Sequence, residues 1–508
     1  MFMALEFLNP ILKFIPSIKK PKSPLTFKEK MTWTALIMVI YFAMFSIPAL
    51  GVSQVQVQQI FQLANVIFAA HIGSLITVGI SPIVLSSIVL QLLQGSGALN
   101  IDLNDMEQRG RFQSIQKLIA IIVAIIEATF YTYTFANSGL ITPGFAGFVI
   151  FELAISAIIV IYLDEMMNKY GISSGINLFI AGGVAYAIIA GTATVLLPAA
   201  AYQLATAGAT AIPQALLAFG PLFVAILVML ISIYAYDMKV ELPMVFSQFR
   251  GIGGRLPISL LYASVMPVIF ATSLLIAMTS LFGGIIAPYS ATSSTAAFFG
   301  YYVPQFSTTG ALTNTLDGGL IYLLSINTFT ESPFPAGYGG VGYSAYFSYL
   351  ATGTTPLIMP WSSFKPGTDL AASCTLSNGC VLVPEWIHVI ISTLLLVILC
   401  VIFGKFYVEM TGQNPKNVAE QLQSVGWQIP GFRRDPRITE SILNKYIPTI
   451  TVLGSIFVGL LAAFANLTGA VGSGMGVLLT VGIMYSLYQQ LEQQHQLEGY
   501  PILEKFLS

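Results

Sequence analysis

The sequence has few charged side chains, and this scarcity defines its class. Asp, Glu, Lys and Arg make up only 8% of the 508 residues, against about 25% in an ordinary soluble domain, and the mean hydropathy is +0.80. A soluble globular protein is therefore excluded. Cysteine is scarce as well, because three residues are too few for a disulfide-rich scaffold or a thiolate metal cluster.

The charges are balanced, 21 basic against 22 acidic residues, so the net charge says nothing about a nucleic-acid partner. The N-terminus also lacks the order of a secretory signal, which would be a basic stretch, an apolar core and a small-residue cleavage site. Lysines and prolines instead alternate with apolar residues over residues 1–30. We interpret this segment as a retained, basic, cytosolic arm.

Long apolar runs recur along the whole chain. About 20 apolar residues in a helix cross a hydrocarbon core about 30 Å thick, and runs without a period of two favour helices over barrel strands. The sequence thus predicts an all-α polytopic membrane protein. Its ten transmembrane helices are expected near residues 31–50, 74–94, 115–136, 146–163, 175–197, 214–236, 258–282, 387–408, 448–468 and 473–489.

The positions of Lys and Arg give the orientation, because positive residues are retained on the cytoplasmic side of short loops. With ten spans and the N-terminus inside, all 21 of these residues except Lys365 fall on the inner side. We therefore expect a multi-pass protein of the cytoplasmic membrane with both termini in the cytosol.

The outer segment 283–385 is long for a connector. Its apolar stretch, 319–329, is too short to span, which predicts a small folded cap or hairpin on the outer face. Cys374 and Cys380 lie in this segment on the oxidising side, where a local disulfide and two free thiols are equal alternatives. Cys400 falls within a span and is expected only to pack.

Residues 54–73 also break the pattern, since they begin too polar to span and become apolar just before the second span. An amphipathic half-helix that enters from outside puts non-helical backbone at membrane depth. Such backbone is tolerated only where it lines a cavity or is buried in protein. The segment therefore indicates a pore or a binding cavity.

Two carboxyl groups, those of Glu127 and Glu152, fall within the third and fourth spans, where an ionisable group usually faces protein or water. A transporter would use them as a proton relay. Because neither has a clear cationic partner within a span, packing against a partner subunit or a helix-end position is favoured.

Several motifs follow one another in a fixed order: Gly79–Leu93, Tyr162–Ile176, Arg255–Tyr262, Gly431–Arg433 and the run from Tyr446 to Thr480. Together they resemble the SecY family of protein-translocation channels in its archaeal form, over nearly the whole chain. The resemblance implies two inverted five-helix halves around a central pore, with a re-entrant plug half-helix. Only the outer segment departs from it, being longer than the family leads us to expect.

The resemblance divides the chain as follows: an arm (1–30), a first half (31–212) that contains the plug (62–72), and a second half (213–508) that contains the outer loop 283–385 and the inner loop 409–447.

A pore for polypeptides needs a constriction that excludes ions by dewetting and binds no side chain tightly, which apolar side chains provide. The resemblance implies such a pore ring at Ile80, Val84, Ile176, Ile180, Ile269 and Leu479. It also implies a plug that includes Gln62, Leu63, Asn65, Val66, Ile67 and His71. Protonation of His71 would weaken the seating of the plug as the pH falls. The alternatives are ordinary packing or lipid contact for the ring residues and an interfacial anchor for the half-helix.

A lateral gate is implied between spans two and three and spans seven and eight, with Gln91, Val265 and Met266. Relatives commonly carry Asn at the position of Val265, so its absence predicts a different threshold for signal-sequence hydrophobicity. On the inner loops, arginines are expected to bind ribosomal RNA phosphate or an acidic partner, beyond their topological role. They are Arg250, Arg255, Arg433 and Arg434.

The resemblance further implies a heterotrimer with a SecE-like gamma subunit and a small beta subunit, which works with ribosomes, signal sequences, nascent chains and membrane lipid. We expect a passive channel that translocates unfolded polypeptides, releases transmembrane segments laterally and takes its energy from a partner. No catalytic residue, cofactor or metal site is expected. A secondary transporter with inverted repeats, saturable by a small substrate, is the second interpretation, and a membrane enzyme is the third.

Overall fold

The structure is a computed structural model. It describes residues 16–19, 21, 23, 25–52, 73–95, 106–137, 141, 144–206, 211–246, 253–263, 265–290, 293–306, 312–325, 353–358, 380–424, 427–428, 436–471 and 474–498. The predicted plug 62–72, Cys374, Arg250, Arg433 and Arg434 lie outside these residues.

Helices account for most of the described chain. In order they are α1 (Phe27–Ser46), α2 (Ser81–Gly95), α3 (Met106–Asn137), α4 (Ala146–Tyr170), α5 (Gly175–Gly191), α6 (Leu197–Thr206), α7 (Ala211–Ala218), α8 (Gly220–Asp237), α9 (Met266–Ser290), α10 (Ser294–Phe299), α11 (Leu320–Leu324), α12 (Glu385–Met410), α13 (Pro415–Ser424), α14 (Pro436–Leu467) and α15 (Gly474–Glu498). A π-helical turn, Thr192–Leu196, joins α5 to α6.

The strands are short and lie at two ends of the helical bundle. They are β1 (Lys239–Phe246), β2 (Gly253–Ser259), β3 (Tyr301–Phe306), β4 (Leu312–Gly318), β5 (Thr354–Ile358), β6 (Cys380–Pro384) and β7 (Trp427–Gln428).

Each of the ten predicted spans overlaps a helix, namely α1–α5, α8, α9, α12, α14 and α15, but the second helix begins at Ser81 and not at residue 74. Local signals set several of their starts. Thr26 accepts a hydrogen bond from the Glu29 N–H and donates its own N–H to the Glu29 carboxylate, which forms a capping box before α1. Pro221 stands in the first turn of α8, where its missing N–H costs nothing.

Apolar side chains cover the outside of this bundle as well as its core. Among the described residues, α3, α4, α8, α12 and α14 contain segments long and apolar enough to cross a membrane, and shorter apolar segments lie in α2, α5, α9 and α15. Large apolar side chains such as Phe151, Ile189 and Leu230 are more than half exposed. Exposure on this scale suits lipid and not water, so the chain is a multi-pass membrane protein.

The spans pack as two groups of five. In the first, α1 contacts α4 and α5, α2 contacts α3, and α4 contacts both α3 and α5; in the second, α14 contacts α8, α9, α12 and α15. The groups meet on two sides: α2 contacts α9 and α12, and α3 contacts α9, while α5 contacts α15. One apolar cluster continues through both groups.

The seventh predicted span, 258–282, is wrong at its start. Residues 253–259 form β2, and the helix begins only at Met266. Ile258 is apolar because it is buried in a small cluster with Leu242 and Leu443, outside the main bundle core. A strand that buries one face thus lengthened the apparent apolar run.

The sheet end of the bundle, defined here as β1, β2, β7 and α13, joins two connecting segments: the one between α8 and α9 and the one between α12 and α14. Its strand order is β2-β1-β7, so a strand from the loop after α13 pairs with the hairpin before α9. The Tyr262 hydroxyl donates to the Gln413 carbonyl at 2.9 Å and ties the same two loops.

The cap, defined here as α10, α11 and β3–β6, consists of elements that the structure describes within the outer segment. Its two hairpins are β3–β4 and β5–β6, and the stretch that is too short to span begins as α11. Ala297, Tyr301, Ile358 and Cys380 form its small apolar core. Cys380 is disulfide-bonded, whereas Cys400 is free and buried in α12. The predicted cap is thus folded.

The N-terminal arm is held in place by charged side chains from later helices. Glu165 of α4 accepts the Ile18 N–H at 3.1 Å and pairs with Lys117 and Lys169, both at 2.6 Å. Lys117 also donates to the Pro16 carbonyl at 2.7 Å, and Lys169 donates to the Ile18 carbonyl. Residues 16–19 therefore dock on α3 at Lys117 and on the end of α4.

Candidate functional site

An irregular segment, residues 73–80, leads into α2 and is buried in protein. Its backbone groups are satisfied locally and by the end of α1: the Leu75 N–H donates to the Ile47 carbonyl at 3.0 Å, and the Ala49 N–H donates to the Gly73 carbonyl at 2.9 Å. The Thr77 hydroxyl donates to the Ser74 carbonyl at 2.5 Å, and both side chains are buried. Non-helical backbone is stable among membrane helices only when it is paired in this way.

All six residues predicted for the pore ring belong to or pack against the one apolar cluster that joins the two halves. Five are almost completely buried, with exposures of 2% or less, and Ile176 is partly buried. Ile80 directly precedes α2, Val84 lies in α2, Ile176 and Ile180 lie one turn apart in α5, and Ile269 and Leu479 come from α9 and α15. Each half therefore contributes apolar side chains to this region.

The start of α5 is fixed by a carboxylate that the sequence interpretation missed. Asp164 of α4 accepts the Ile176 N–H at 2.9 Å, and Ser174 caps the same helix by accepting the Asn177 N–H at 3.4 Å. A Cβ at Gly175 would lie 2.6 Å from the Asp164 Oδ1, so only glycine permits this approach. Asp164 thereby positions Ile176 and, one turn on, Ile180.

In the second half, α15 packs closely against α8 and against the residue that precedes α9. A Cβ at Gly482 would lie 2.1 Å from the Tyr236 Oη and 3.2 Å from the Val265 Cγ2. Val265, predicted for the gate, is 2% exposed and thus lies against α15. Its carbonyl accepts the N–H groups of Val268 and Ile269 and so begins α9.

The helices predicted to form the lateral gate do contact one another. At the end where α12 finishes, Leu90 of α2 and Phe112 and Ile115 of α3 form an apolar cluster against which Met410 of α12 packs. Gln91 follows Leu90 in α2, and Met266 is the partly buried first residue of α9. The described contact between α2, α3 and α12 at this end is therefore apolar.

The two carboxyl groups within spans are bound inside this chain, which the sequence did not predict. Glu127 of α3 accepts a hydrogen bond from the Ser81 hydroxyl at 2.7 Å, next to Ile80. Glu152 of α4 accepts the Leu50 N–H at 3.1 Å, just past the end of α1. Glu127 thus fixes the start of α2, and Glu152 fixes the loop that follows α1.

At the sheet end, Arg255 forms an exposed ion pair with Glu241 on the neighbouring strand, with a distance of 2.6 Å between Nη1 and Oε2. The Arg255 side chain is 76% exposed, so its guanidinium remains accessible to a partner. Burial raises the pKa of the nearby Tyr262 to about 12, which keeps its hydroxyl a donor to Gln413.

Comparison with known proteins gives the family. Residues 74–488 match the SecY family model. Protein translocase subunit SecY of Methanocaldococcus jannaschii is 36% identical over 502 residues, which cover 99% of each chain. The solved structure "The structure of a protein conducting channel" matches with a TM-score of 0.72 and 34% identity, over 96% of this chain and 97% of that one.

A second solved structure, "Sec61 in the Canine ribosome-channel complex from the endoplasmic reticulum", matches with a TM-score of 0.69 and 34% identity, over 96% of this chain and 97% of that one. The fold is therefore that of a polytopic membrane channel. The chain belongs to the SecY family.

Proposed function

We propose that this chain is the channel-forming subunit of a protein translocase, which moves unfolded polypeptides across the cytoplasmic membrane. The observation that carries the proposal is that six apolar side chains from both halves, five of them buried and Ile176 partly buried, belong to or pack against one apolar cluster. A wholly apolar constriction seals against ions by dewetting and still binds no passing side chain tightly. These six residues form the ring of the closed pore.

Transmembrane segments leave the pore sideways between α2 and α3 on one half (31–212) and α9 and α12 on the other (213–508). Apolar contacts such as those of Leu90, Phe112 and Met410 support this gate, because an apolar segment can replace them without leaving a polar group unpaired. Gln91, Val265 and Met266 belong to it. The valine gives no hydrogen bond across the gate, so the threshold of signal hydrophobicity differs from that of relatives with an amide.

Residues 62–72 act as the plug, and the channel itself is passive. The matched Sec61 structure is a ribosome-channel complex, and we extend that partner to this chain through Arg250, Arg255, Arg433 and Arg434. The exposure of the Arg255 side chain supports this role. A SecE-like gamma subunit and a small beta subunit complete the heterotrimer, with both termini of this chain in the cytosol.

Resting conductance in planar bilayers tests the pore ring. In the channel reconstituted with its small partners, Ile180→Asn places a polar group in the buried constriction, and we expect resting ion conductance to rise about tenfold because the constriction becomes wet. Ile189→Asn is the matched control, since this residue of the same helix is 70% exposed. Equal conductance of the two variants would refute the ring.

Deletion of residues 62–70 tests the plug in the same assay. A sealed parent and a leaky deletion support the plugged pore. Two equally silent channels would leave the fold in place but favour the secondary transporter, which should then show saturable uptake of a small substrate.

A further inference from the structure

The cap connects the two helices that form the second half's side of the gate. The end of α9 continues through α10 into β3, with the Ser293 N–H donating to the Tyr289 carbonyl at 3.0 Å. On the other side, Pro384 ends β6 and directly precedes α12. The two hairpins contact each other where the Gly319 N–H donates to the Pro356 carbonyl at 3.1 Å. The cap therefore bridges α9 and α12 at one end.

A buried polar cluster fastens the cap to the first turn of α12. We call it the clasp and define it as Tyr322, Ser325, Glu385 and His388. The Tyr322 hydroxyl donates to Glu385 Oε1 at 2.9 Å, His388 Nδ1 lies 2.8 Å from the same oxygen, and His388 Nε2 lies 3.3 Å from the Ser325 carbonyl. The rings of Tyr322 and His388 are 4.3 Å apart.

Burial makes the clasp a strong and specific attachment. Glu385 and His388 are only 1% and 2% exposed. The Glu385 N–H also donates to the Gly353 carbonyl at 2.9 Å, so the backbone at the start of α12 is held by the cap as well. Parting the cap from α12 would leave Glu385 and His388 paired with each other but would take away the Tyr322 hydroxyl from Glu385 and the Ser325 carbonyl from His388, and loss of such contacts at buried polar groups is costly.

We propose that the clasp is a positioning device for the gate: it joins α9 and α12 into one rigid leaf and thereby sets how hydrophobic a signal sequence must be to open the channel. The inference rests on the proposed function, and it assigns to that gate residues that lie outside it. The two helices also pack directly on each other, with the ring centroids of Phe270 and Phe403 6.1 Å apart, and the clasp fixes the ends of this pair that lie next to the cap. A signal sequence must then displace the whole leaf.

Translocation of a strong and a weak signal sequence in reconstituted vesicles tests the threshold. Tyr322→Phe removes one hydroxyl, and His388→Leu removes both ring nitrogens. In each we expect translocation of the weak-signal substrate to increase about threefold relative to that of the strong-signal substrate, because the cap no longer fixes α12 relative to α9 at this end. The readout is the ratio of weak-signal to strong-signal translocation. His388→Gln restores a hydrogen-bond donor and should return this ratio toward that of the parent.

Trp386→Phe is the matched control, because Trp386 lies in the same turn and is 50% exposed. It should leave the ratio unchanged. An unaltered ratio in both Tyr322→Phe and His388→Leu, or a parallel loss for both signals, would overturn the proposal.

A distance measurement separates this proposal from the proposed function. Nitroxides are attached at Phe282→Cys in α9 and Ile390→Cys in α12, both exposed positions, in a Cys400→Ala background. Pulsed electron resonance on the purified complex should give one narrow distance distribution, which His388→Leu broadens at least twofold. A broadened distribution in a protein that translocates nothing would refute the proposed function but not the clasp. An unbroadened one would refute the clasp whatever the protein transports.

Discussion

The sheet end and the cap each hold together segments of the second half that are far apart in the sequence, but they do so through different interactions. The sheet end uses an apolar cluster around Leu443 and Ile447, a hydrogen bond from Tyr262 and an exposed ion pair. Among its described residues the cap has a small apolar core, and its Tyr322 and Ser325 contact the buried pair Glu385 and His388 of α12. Apolar packing contributes more to the free energy of unfolding than the polar contacts do. Buried polar groups instead fix one geometry, because a small shift leaves a donor or an acceptor without its hydrogen bond.

The apolar attachment at the sheet end should give the largest effect. Leu443→Ala removes a side chain that is 1% exposed in the sheet-end cluster, and we expect a loss of about 3 kcal/mol of stability from lost burial and a residual cavity. Thermal unfolding of the purified complex measures it. Leu453→Ala in the same helix is the control, because Leu453 is 56% exposed and should change little. Similar losses for both would show that the cluster is not a core.

Next comes the polar attachment of the cap. Glu385→Gln keeps the shape of the side chain but weakens its contacts with Tyr322 and His388, so we expect a loss of about 2 kcal/mol. Hydrogen exchange should show the loss as faster exchange in the cap hairpins, with the sheet end unchanged. Faster exchange at both ends would contradict independent attachment.

Tyr262→Phe should cost about 1 kcal/mol, the worth of one hydrogen bond to Gln413. Folding raises the pKa of Tyr262 from 10.0 to about 12, so the folded state favours the protonated phenol. The Tyr262 hydroxyl therefore makes its full contribution to the free energy of unfolding below pH 10, and this contribution is lost as the pH rises through about 12. The difference between parent and variant should stay constant from pH 6 to 9. A difference that grows above pH 10 would have the wrong sign.

The smallest effect belongs to the ion pair between Arg255 and Glu241. Both side chains are at least half exposed, so Glu241→Gln should leave thermal unfolding unchanged. Arg255→Ala should also unfold like the parent yet reduce cosedimentation with ribosomes, and it should do so most at low salt. Arg437→Ala serves as the control for loss of charge. A clear loss of stability in either variant would assign the pair to the fold.

The helices could be predicted from the sequence because a span is a local property, about 20 apolar residues in succession. The start of α9 could not be predicted, because Leu256 and Ile258 are apolar residues that pack in the cluster at the sheet end and do not belong to a membrane span. The folded cap was predicted, but the clasp was not. The spacing of Glu385 and His388 is visible on a helix, whereas Tyr322 lies 63 residues from Glu385.

The candidate site, like the fold, could be predicted only in part from the sequence. The apolar residues of the proposed ring could be named because they lie in motifs that resemble a known family. Asp164 and Ser81 could not, because their roles depend on the meeting of helices: Asp164 holds the start of α5, and Ser81 holds Glu127. For Glu127 and Glu152 the sequence favoured packing against a partner subunit or a helix-end position, and in the structure each accepts a hydrogen bond from a group of this chain.

The docking of the N-terminal arm imposes an order on biosynthesis. Ile18 is made early, but the carboxylate that receives its N–H belongs to Glu165, 147 residues later. Lys169, which holds the same segment, follows at the end of the fourth helix. Residues 16–19 of a growing chain therefore cannot dock until the first four helices have been inserted. Docking of this segment marks the completion of that stage of assembly.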